Sequence, residues 1–582
     1  MKKFIFAAMA ALAVIASSCY EDKGNYDYHD VDPVDSIKLH WNSGSTSNLV
    51  IGDTTRLIMR VVFKNPNENI NDWKFVWRLN NQDVAEGLEF EYVATKLGTD
   101  YYQFYAEHKS GQRYYQGFPT DVYTWSGGYS SISVKSPYTS GWLVLGTKNG
   151  NVTTIDYFRR DRTIEYFTNE EGEEDGYYKH TYTDFKDIYK ERTGEEIGTD
   201  PICMHEYFAS TDSNVPAEIL IMQGKDIASD NSFFIDGREF NKVTMLKNEF
   251  VGDVYPAGTR VQDFVWGCSA NFAILTNGKL HVVVMGLNGM SGTNVNMYSH
   301  ILDFLSEPYE APAGSHFKKF VGKDNWIYST SSVVAYDSGL NTYRFFYSSP
   351  SSGNYNHGRE IVTIKLTGAD GSSLNAAEYF PSANVLGDYE VIDWYHMAGA
   401  STSGEYKVMA LKKHKTTGAY VYDYFTYSAG SYSSATIKII EENVALPNFN
   451  DNTICHTNKV NEYMWYANGK EIRFYDPAAK QDWKYTTTET DVKALYVGPG
   501  GDYYQEQNLV VATADKKLTM YNIGFDVLQE ATQSGDAMNY GDRGFMQGYE
   551  DRVVYWQTTT TGDAMQIHFR TGYYSSKVFD QF

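Results

Sequence analysis

Residues 463–476 read Tyr-Met-Trp-Tyr-Ala-Asn-Gly-Lys-Glu-Ile-Arg-Phe-Tyr-Asp: an apolar run, an Asn-Gly turn and a second run that ends in aromatic residues. An Asn-Gly pair between two such runs is the strongest short signal for a β-hairpin. The same unit recurs along the chain at 142–157, 272–284 and 509–521, and more loosely at 218–236, 332–347 and 406–427. The sequence therefore predicts a series of hairpins from Gly141 onward.

The spacing of these hairpins predicts how they pack. A single hairpin cannot bury its own apolar face, so repeated hairpins must cover one another. The copies follow at intervals of roughly 45 to 75 residues, which favours several strands per repeat and hence a β-propeller over residues 137–582. Seven copies predict seven blades. A further unit from Val553 to Phe569 either forms an eighth blade or completes the ring with the first blade.

The segment before the propeller, residues 34–136, also has a β pattern. Alternating runs at 37–41, 55–63, 74–79, 101–106 and 131–134 are separated by turn residues such as Asn80-Asn81. About seven short strands within a hundred residues predict an immunoglobulin-like sandwich. Trp77, inside a central run, is predicted to lie in its core. The whole protein is thus expected to be all-β.

The start of the chain has the pattern of a secretory signal. Lys2 and Lys3 precede the apolar run 4–15, which is too short to cross a bilayer. The small residues Ala-Ser-Ser at 16–18 then lead directly to Cys19. This arrangement resembles a bacterial lipobox, although Ala16 stands where most lipoboxes have Leu. The resemblance implies cleavage after residue 18 and a lipid on Cys19. The residues that follow are rich in Asp, Asn, Gly and Tyr, which predicts that residues 19–33 comprise the lipidated cysteine and a polar tether.

The ten residues from Cys19 to Tyr28, Cys-Tyr-Glu-Asp-Lys-Gly-Asn-Tyr-Asp-Tyr, resemble the mature start of the PKD-like family of Bacteroidota lipoproteins. The resemblance implies that the sandwich is a PKD-like domain and that the protein is anchored in the outer membrane, facing outward. It also implies association with a Sus-like nutrient uptake system, in which a TonB-dependent transporter and its lid lipoprotein would be the partners.

The amino-acid composition of the chain limits which classes of binding partner are expected. The 582 residues carry a formal net charge of −23, and loss of Lys2 and Lys3 with the signal leaves −25. Such a surface repels phosphate backbones and anionic membranes, so we expect no nucleic-acid partner. Of the four cysteines, three remain once Cys19 is lipidated, and this odd number implies no disulfide framework. Aromatic residues make up 16% of the chain, with 49 Tyr, as is typical of β-sheets and of glycan or peptide binders.

Motifs for catalysis and cofactors are missing from the sequence. It contains no P-loop, no dinucleotide glycine motif, no HExxH helix and no G-x-S-x-G elbow. We therefore predict no catalytic residue, no metal site and no cofactor, apart from calcium that an acidic loop could hold. Asp263, Glu390 and Asp393 lie near predicted inner strands and would be the acids to examine in a hydrolase. The acidic run 169–175 and a short helix over 184–192 are predicted to form an insertion between blades one and two.

Three tryptophans recur shortly before a repeat hairpin: Trp266, Trp326 and Trp394. If they line the mouth of the propeller channel, their rings could stack on sugars or peptide side chains. Packing between blades is the alternative role for the same residues. They are the candidate ligand-binding residues that the sequence offers.

These features lead to one functional hypothesis and two alternatives. The hypothesis is a non-catalytic cell-surface lipoprotein that binds glycan or peptide nutrients, or docks on a Sus-like uptake complex. The first alternative is a propeller-type glycoside hydrolase or polysaccharide lyase. The second is a protein-docking scaffold that binds no small ligand. Because one fold supports many functions, the propeller alone does not decide among them.

Overall fold

The structure is a computed structural model of the full chain. It describes residues 33–41, 49–117, 129–138, 141–168, 174–207, 217–267, 270–284, 308–323, 332–347, 359–375, 380–397, 405–429, 434–458, 462–499, 507–524 and 554–570. The chain divides into two compact units between Pro137 and Tyr138. Within the described ranges, none of the helices combines the length and apolar character that a bilayer crossing requires.

The first unit is a two-sheet sandwich, as predicted. Its strands are β1 (Val34–Trp41), β2 (Leu49–Val50), β3 (Thr54–Phe63), β4 (Trp73–Leu79), β5 (Gln82–Glu86), β6 (Glu89–Val93), β7 (Gly98–His108), β8 (Arg113–Tyr115) and β9 (Tyr129–Lys135). One sheet has the order β1-β3-β6 and the other β2-β9-β7-β4-β5, with β8 on β7. Trp77 is fully buried between them and packs edge-on against Phe104, so its predicted core position is confirmed.

The described residues of the second unit contain the remaining strands and one α-helix. Its first strands are β10 (Gly141–Lys148), β11 (Val152–Thr168), β12 (Glu174–Phe185), β13 (Pro201–Tyr207), β14 (Glu218–Gln223), β15 (Phe233–Ile235), β16 (Lys242–Met245), β17 (Val261–Gly267), β18 (Ala270–Leu275), β19 (Leu280–Val284), β20 (Phe317–Val321), β21 (Ser332–Asp337), β22 (Thr342–Tyr347), β23 (Thr363–Thr367) and β24 (Ser373–Leu374). These are followed by β25 (Tyr389–His396), β26 (Tyr406–His414), β27 (Tyr420–Ala429), β28 (Ser434–Ala445), β29 (Ile454–Asn458), β30 (Tyr463–Asn468), β31 (Glu471–Asp476), β32 (Gln481–Thr487), β33 (Val492–Pro499), β34 (Gln507–Thr513), β35 (Lys517–Asn522), β36 (Val554–Thr559) and β37 (Asp563–Arg570). The helix α1 spans Ile188–Thr193.

The described strands of this unit form seven sheets, each of which is one blade. Blade one has the order β12-β11-β10-β37, blade two β13 to β16, blade three β17 to β19 and blade four β20 to β22. Blade five has the order β24-β23-β28-β27-β26-β25, blade six β29 to β32 and blade seven β33 to β36. In blades two, three, four, six and seven, the first strand in chain order is the innermost strand. The innermost strand is β37 in blade one and β25 in blade five.

Seven hydrophobic clusters lie between neighbouring blades of the described residues, and together they close the ring. The cluster between blades six and seven, for example, joins Trp465 to Leu509. The last interface joins blade seven to blade one through Val510 and Trp142. The other five clusters join blades one to two, two to three, three to four, four to five and five to six. The unit is therefore a seven-bladed β-propeller.

Ring closure also explains the additional hairpin unit near the end of the chain. Strand β36 is the outermost strand of blade seven, whereas β37 pairs antiparallel with β10 in blade one. The prediction that this unit completes the first blade is confirmed, and the alternative of an eighth blade is wrong. A closing strand from the far end of the chain joins both ends of the ring by hydrogen bonds.

The hairpin at 463–476 folds as its sequence predicts. Asn468 and Glu471 are paired, so Gly469 and Lys470 form a two-residue loop. The φ angle of Gly469 is +57°, a conformation that glycine adopts without steric cost and that a type II′ hairpin turn requires at this position.

The segment after β11 corrects two predictions in part. Residues 169–173 of the acidic run lie outside the described residues, whereas Glu174 and Asp175 begin β12, the outermost strand of blade one, rather than lying in an insertion between blades one and two. The predicted helix over 184–192 begins later, at Ile188, because Asp184 and Phe185 still pair with β11.

Candidate ligand-binding channel

The innermost strands of the blades line the central channel, and five of them share a β-bulge. The extra residue interrupts the pairing of β13, β17, β20, β25 and β33 close to the start of each strand. A bulge of this kind turns the following side chain away from the regular alternation. The residues that follow the bulges are Cys203, Asp263, Lys319, Asp393 and Ala494.

Polar and aromatic side chains at alternate positions of the inner strands are partly exposed. They are Cys203, His205, Lys319, Asp393, Tyr395, Cys455, Tyr496, Gln566 and His568. Since they come from six blades but belong to the innermost strands, they form the wall of one channel. The described wall is rich in hydrogen-bonding groups.

Asp263 of blade three holds blade four through two hydrogen bonds. Its carboxylate accepts the N–H of Phe320 at 2.7 Å and the ammonium of Lys323 at 2.5 Å, and also the N–H of the next residue, Phe264, at 3.0 Å. Asp263 is 5% exposed. Removal of one member of such a buried ion pair costs about 3–5 kcal/mol, because the other charge loses its partner. Both oxygens of the Asp263 carboxylate therefore accept hydrogen bonds, and these stabilise the packing of blade three against blade four.

Asp393 of blade five occupies the equivalent position and also contacts blade four. Its carboxylate accepts the N–H of Trp394 at 2.7 Å and that of Gly322 at 2.9 Å. The Lys319 ammonium donates to the carbonyl oxygen of Ile392. Burial lowers the pKa of Lys319, while the nearby carboxylates of Asp393 and Asp263 act in the opposite direction. Lys319 is thus a polar donor inside the channel wall.

A second polar cluster lies where the closing strand β37 meets blade two. The side-chain amide of Gln566 accepts the N–H of Met204 at 2.8 Å and donates to its carbonyl at 2.9 Å. Beside it, His568 Nε2 lies 3.5 Å from Glu206, and His205 Nε2 lies 3.4 Å from the sulfur of Cys203. Burial lowers the pKa of His205 well below its usual value, and the charges of Lys323 and His568 add to this effect. His205 is therefore a neutral imidazole at neutral pH.

The channel thiol of Cys455 is not activated as a nucleophile. Its sulfur donates to the Tyr395 hydroxyl at 3.0 Å, and burial raises the pKa of the thiol to about 12. Because the thiolate is the reactive form, such a thiol is unreactive at neutral pH. In the described part of the chain, no group of three or more His, Cys, Asp and Glu side chains could hold a metal ion. The side chains of the channel wall can form hydrogen bonds with a ligand through ammonium, imidazole and phenol groups, which lie beside aromatic rings.

Two of the three candidate ligand-binding tryptophans, Trp266 and Trp394, lie between blades and not in the channel wall. Trp266 is 6% exposed in the cluster between blades two and three, and Trp394 is 2% exposed between blades four and five. Trp394 also borders a small cavity beside Ser332 and Tyr427 that has room for about one water molecule. These two rings thus pack between blades, and their ligand role stays a prediction. Trp326 and Cys19, the predicted lipid anchor, lie outside the described residues.

The acids singled out in the sequence are indeed on inner strands. Asp263 is on β17, whereas Glu390 and Asp393 are on β25. Glu390 lies 3.4 Å from the exposed ammonium of Lys318. Their position was predictable because Val261-Gln-Asp263-Phe and Val391-Ile-Asp393-Trp repeat one pattern.

Sequence reasoning missed Lys319, Lys323, His205 and His568. The signal that could have found Lys319 is the same alternation in Phe317-Lys-Lys319-Phe. No local signal marks the other three, since their neighbours come from distant blades. The charge of His568, for example, acts on His205 only because β37 closes the ring.

One comparison with known proteins matches the first part of the chain. Residues 19–201 match the PKD-like family, a range that runs through the first unit and blade one to the first residue of β13. No curated protein matches the chain.

Several solved structures resemble the chain weakly. A quinonprotein alcohol dehydrogenase-like protein from Bacteroides thetaiotaomicron has 12% identity and a TM-score of 0.31, over 91% of this chain and 97% of that one. The BP39L lectin from Burkholderia pseudomallei has 10% identity and a TM-score of 0.31, over 66% and 96%. The Cps50 (Swd1) β-propeller domain from Myceliophteria thermophila has 10% identity and a TM-score of 0.29, over 56% and 84%. Values this low support no functional inference, and the propeller is identified here by its strand pairing.

Proposed function

We propose that this protein is a lipid-anchored surface protein that binds a glycan or peptide in its propeller channel without catalysing a reaction on it. It would act beside a Sus-like TonB-dependent transporter and its lid lipoprotein in the outer membrane of a member of the Bacteroidota. The PKD-like unit lies, in chain order, between the lipid anchor at Cys19 and the propeller. The channel wall of donors and aromatic rings is the observation that carries the proposal.

The bonding of the channel carboxylates supports binding over hydrolysis. A glycosidase needs one carboxyl group free to give a proton and another free to attack or to activate water. Asp263 accepts three hydrogen bonds and Asp393 accepts two. Three of these five come from Phe320, Lys323 and Gly322 of blade four, and the other two come from the N–H of the next residue on the same strand. Their oxygens therefore serve blade packing. Sugars and peptides carry the hydroxyl and carbonyl oxygens that Lys319, His205 and Tyr395 can bind.

A pair of variants tests the channel as a binding site. Lys319→Gln keeps a donor for the Ile392 carbonyl but removes the charge, whereas Lys318→Gln makes the same change at the exposed neighbouring residue. The full-length protein in detergent is titrated with a panel of fluorescent oligosaccharides and peptides. We expect Lys319→Gln to weaken binding about tenfold, since a charge-assisted hydrogen bond contributes about 1.5–3 kcal/mol, and Lys318→Gln to leave it unchanged.

Two results would contradict the proposal. One is a panel in which no binding responds to Lys319→Gln. The other is release of shortened oligosaccharides or peptides by the purified protein, measured by mass spectrometry, because turnover would make the channel an active site.

A further inference from the structure

The face of blade six that points toward blade seven carries a row of aromatic rings across its three outer strands. Trp465 on β30 is paired with Phe474 on β31, and Phe474 is paired with Trp483 on β32. The rings of Phe474 and Trp483 are stacked, with centroids 5.4 Å apart and planes at 27°. Tyr463, two residues before Trp465 and therefore on the same face, stacks on Phe474 from the side of β30 at 5.2 Å. Cross-strand pairs of this kind hold each ring in one orientation.

The last ring of this row lies at the outer edge of the blade. Trp465 and Phe474 are fully buried between blades six and seven, whereas Trp483 is only partly buried. Strand β32 is the outermost strand of blade six, and no further described strand pairs with it. Phe474 covers one face of the Trp483 indole, and no other ring of the described residues contacts it. The second face of the indole therefore borders the outer edge of the propeller.

The indole N–H of Trp483 is not used within the described part of the chain. In the first unit, the N–H of Trp73 donates to Glu68 and that of Trp77 donates to the carbonyl oxygen of Gly87, both at 3.1 Å. The N–H of Trp483 donates to no described group. A ligand can therefore accept this hydrogen bond without displacing an internal one.

Polar groups lie directly beside this indole. Asp476 is paired with Gln481 at the turn between β31 and β32, and Gln481 precedes Trp483 by two residues, so these side chains share one face. Gln481 is exposed, and its amide bonds to no described residue. One oxygen of Asp476 accepts the N–H groups of Ala478 and Ala479 at 2.8 and 3.1 Å, and the other oxygen accepts no hydrogen bond from the described residues. An indole N–H, an amide and a carboxylate oxygen thus surround one aromatic ring.

This combination matches the chemistry of a neutral sugar. A pyranose presents a face of C–H groups, which packs on an aromatic ring, and hydroxyl groups around its edge, which donate and accept hydrogen bonds. The indole can donate to a hydroxyl, the carboxylate can accept from one, and the amide can do either. Acidic sugars are disfavoured because Asp476 lies beside the ring and the chain carries −23. A peptide is also disfavoured, because Phe474 fills the space behind the indole and leaves no pocket there for a side chain.

We propose that the outer edge of blade six binds a neutral glycan, with a pyranose ring stacked on Trp483 and its hydroxyl groups bonded to Gln481 and Asp476. We call these three residues the blade-six edge site. It is separate from the channel, because Trp483 is on the outermost strand of its blade and the channel wall belongs to the innermost strands. The proposal goes beyond ligand binding in the channel and does not depend on it.

Four full-length variants in detergent test the blade-six edge site. Trp483→Ala removes the ring, and Trp483→Phe keeps an aromatic face but removes the N–H. Gln481→Ala truncates an exposed side chain, so it keeps the test valid if Trp483→Ala does not fold. The matched control is Trp556→Ala, at a partly exposed tryptophan on the outermost strand of blade seven whose ring contacts Phe158 and Tyr182. Thermal melting verifies the folding of each variant.

Each variant is titrated with neutral hexasaccharides of glucose, mannose and xylose, with hexagalacturonate and with a proline-rich peptide. Calorimetry measures binding, and hydroxyl-radical footprinting with mass spectrometry measures protection of the Trp483 indole. We expect a neutral hexasaccharide to bind and to protect Trp483. Trp483→Ala should weaken its binding at least about tenfold. Trp483→Phe and Gln481→Ala should each weaken it about three- to fivefold, because each removes one neutral hydrogen bond, and Trp556→Ala should bind as the wild type does.

Other outcomes would overturn the proposal. They are no binding of any neutral hexasaccharide, no protection of Trp483, tighter binding of hexagalacturonate or of the peptide, or equal binding by the wild type, Trp483→Ala and Gln481→Ala. Lys319→Gln separates this site from the channel. Sugar binding that Lys319→Gln weakens and Trp483→Ala does not would belong to the channel, so the blade-six edge site would be wrong while the channel function stands.

Discussion

Gly498 shows how closely the first and last blades approach each other. A Cβ atom at this position would lie 2.1 Å from the edge of the Trp142 indole. Trp142 itself is fully buried in the cluster that joins blades seven and one. A glycine in a strand usually weakens it, and here it allows a large ring to fill the interface.

Gly498→Ala should therefore destabilise the propeller by about 1–3 kcal/mol through overpacking. Trp142→Phe removes the atoms that the new methyl group would meet. We expect the double variant to be more stable than the sum of the two single effects, measured by urea unfolding. Strict additivity would contradict the proposed contact.

His205 is expected to make the stability of the propeller depend on pH. Burial lowers its pKa well below the usual value, so the unfolded chain binds a proton near pH 6.5 that the native imidazole does not. The free energy of unfolding should therefore fall as pH decreases below about 6.5. His205→Gln should show a smaller loss of melting temperature between pH 7.5 and 5 than the wild type. Equal losses in the two proteins would be inconsistent with a depressed pKa at this site.

At the scale of elements, the closing strand β37 decides whether seven blades become one ring. It forms the inner edge of blade one and reaches blade two through Gln566 and Arg570. The guanidinium of Arg570 is fully buried and donates to the carbonyl oxygens of Ala217 at 2.7 Å and Gly237 at 3.0 Å. A buried cation at the end of the closing strand thus ties it to the next blade.

Arg570→Met keeps much of the side-chain volume but removes both donors. We expect the variant to lose about 3 kcal/mol of stability, because two buried carbonyl groups lose a charged partner. Urea unfolding followed by tryptophan fluorescence measures the change. Arg238→Met, at an exposed position, should change stability by less than about 0.5 kcal/mol. A loss of similar size in both variants would show that the carbonyl contacts of Arg570 are unimportant.

At the scale of the whole molecule, two compact units follow one another in the chain. The first has a sandwich core around Trp77, and the second has its cores between the blades. The start of the chain precedes both, and its predicted attachment to the membrane is a lipid on Cys19.

Cys19→Ala should move the full-length protein from the membrane fraction to the soluble fraction, because no described helix can replace the lipid as an anchor. It should also abolish labelling by an alkyne-tagged palmitate analogue. Cys203→Ala is the matched control and should leave both properties unchanged. Membrane association that persists in Cys19→Ala would contradict the lipid anchor.

The sequence determined the local structure of this protein. Alternating apolar residues, Asn-Gly turns and the spacing of the repeats predict the strands, the hairpins such as 463–476, the seven blades and the sandwich around Trp77. These signals are readable because backbone conformation and strand amphipathicity depend on residues close together in the chain. For the same reason, the Val-x-Asp-aromatic pattern locates Asp263 and Asp393 on inner strands.

Only the tertiary structure decided which side chains share the channel. Trp266 and Trp394 pack between blades, while Lys319, His205 and His568 lie on the innermost strands of blades four, two and one. The pairing of β37 with β10 joins residues more than four hundred positions apart. Such placements depend on ring closure and cross-strand pairing, which are long-range interactions that no local pattern records.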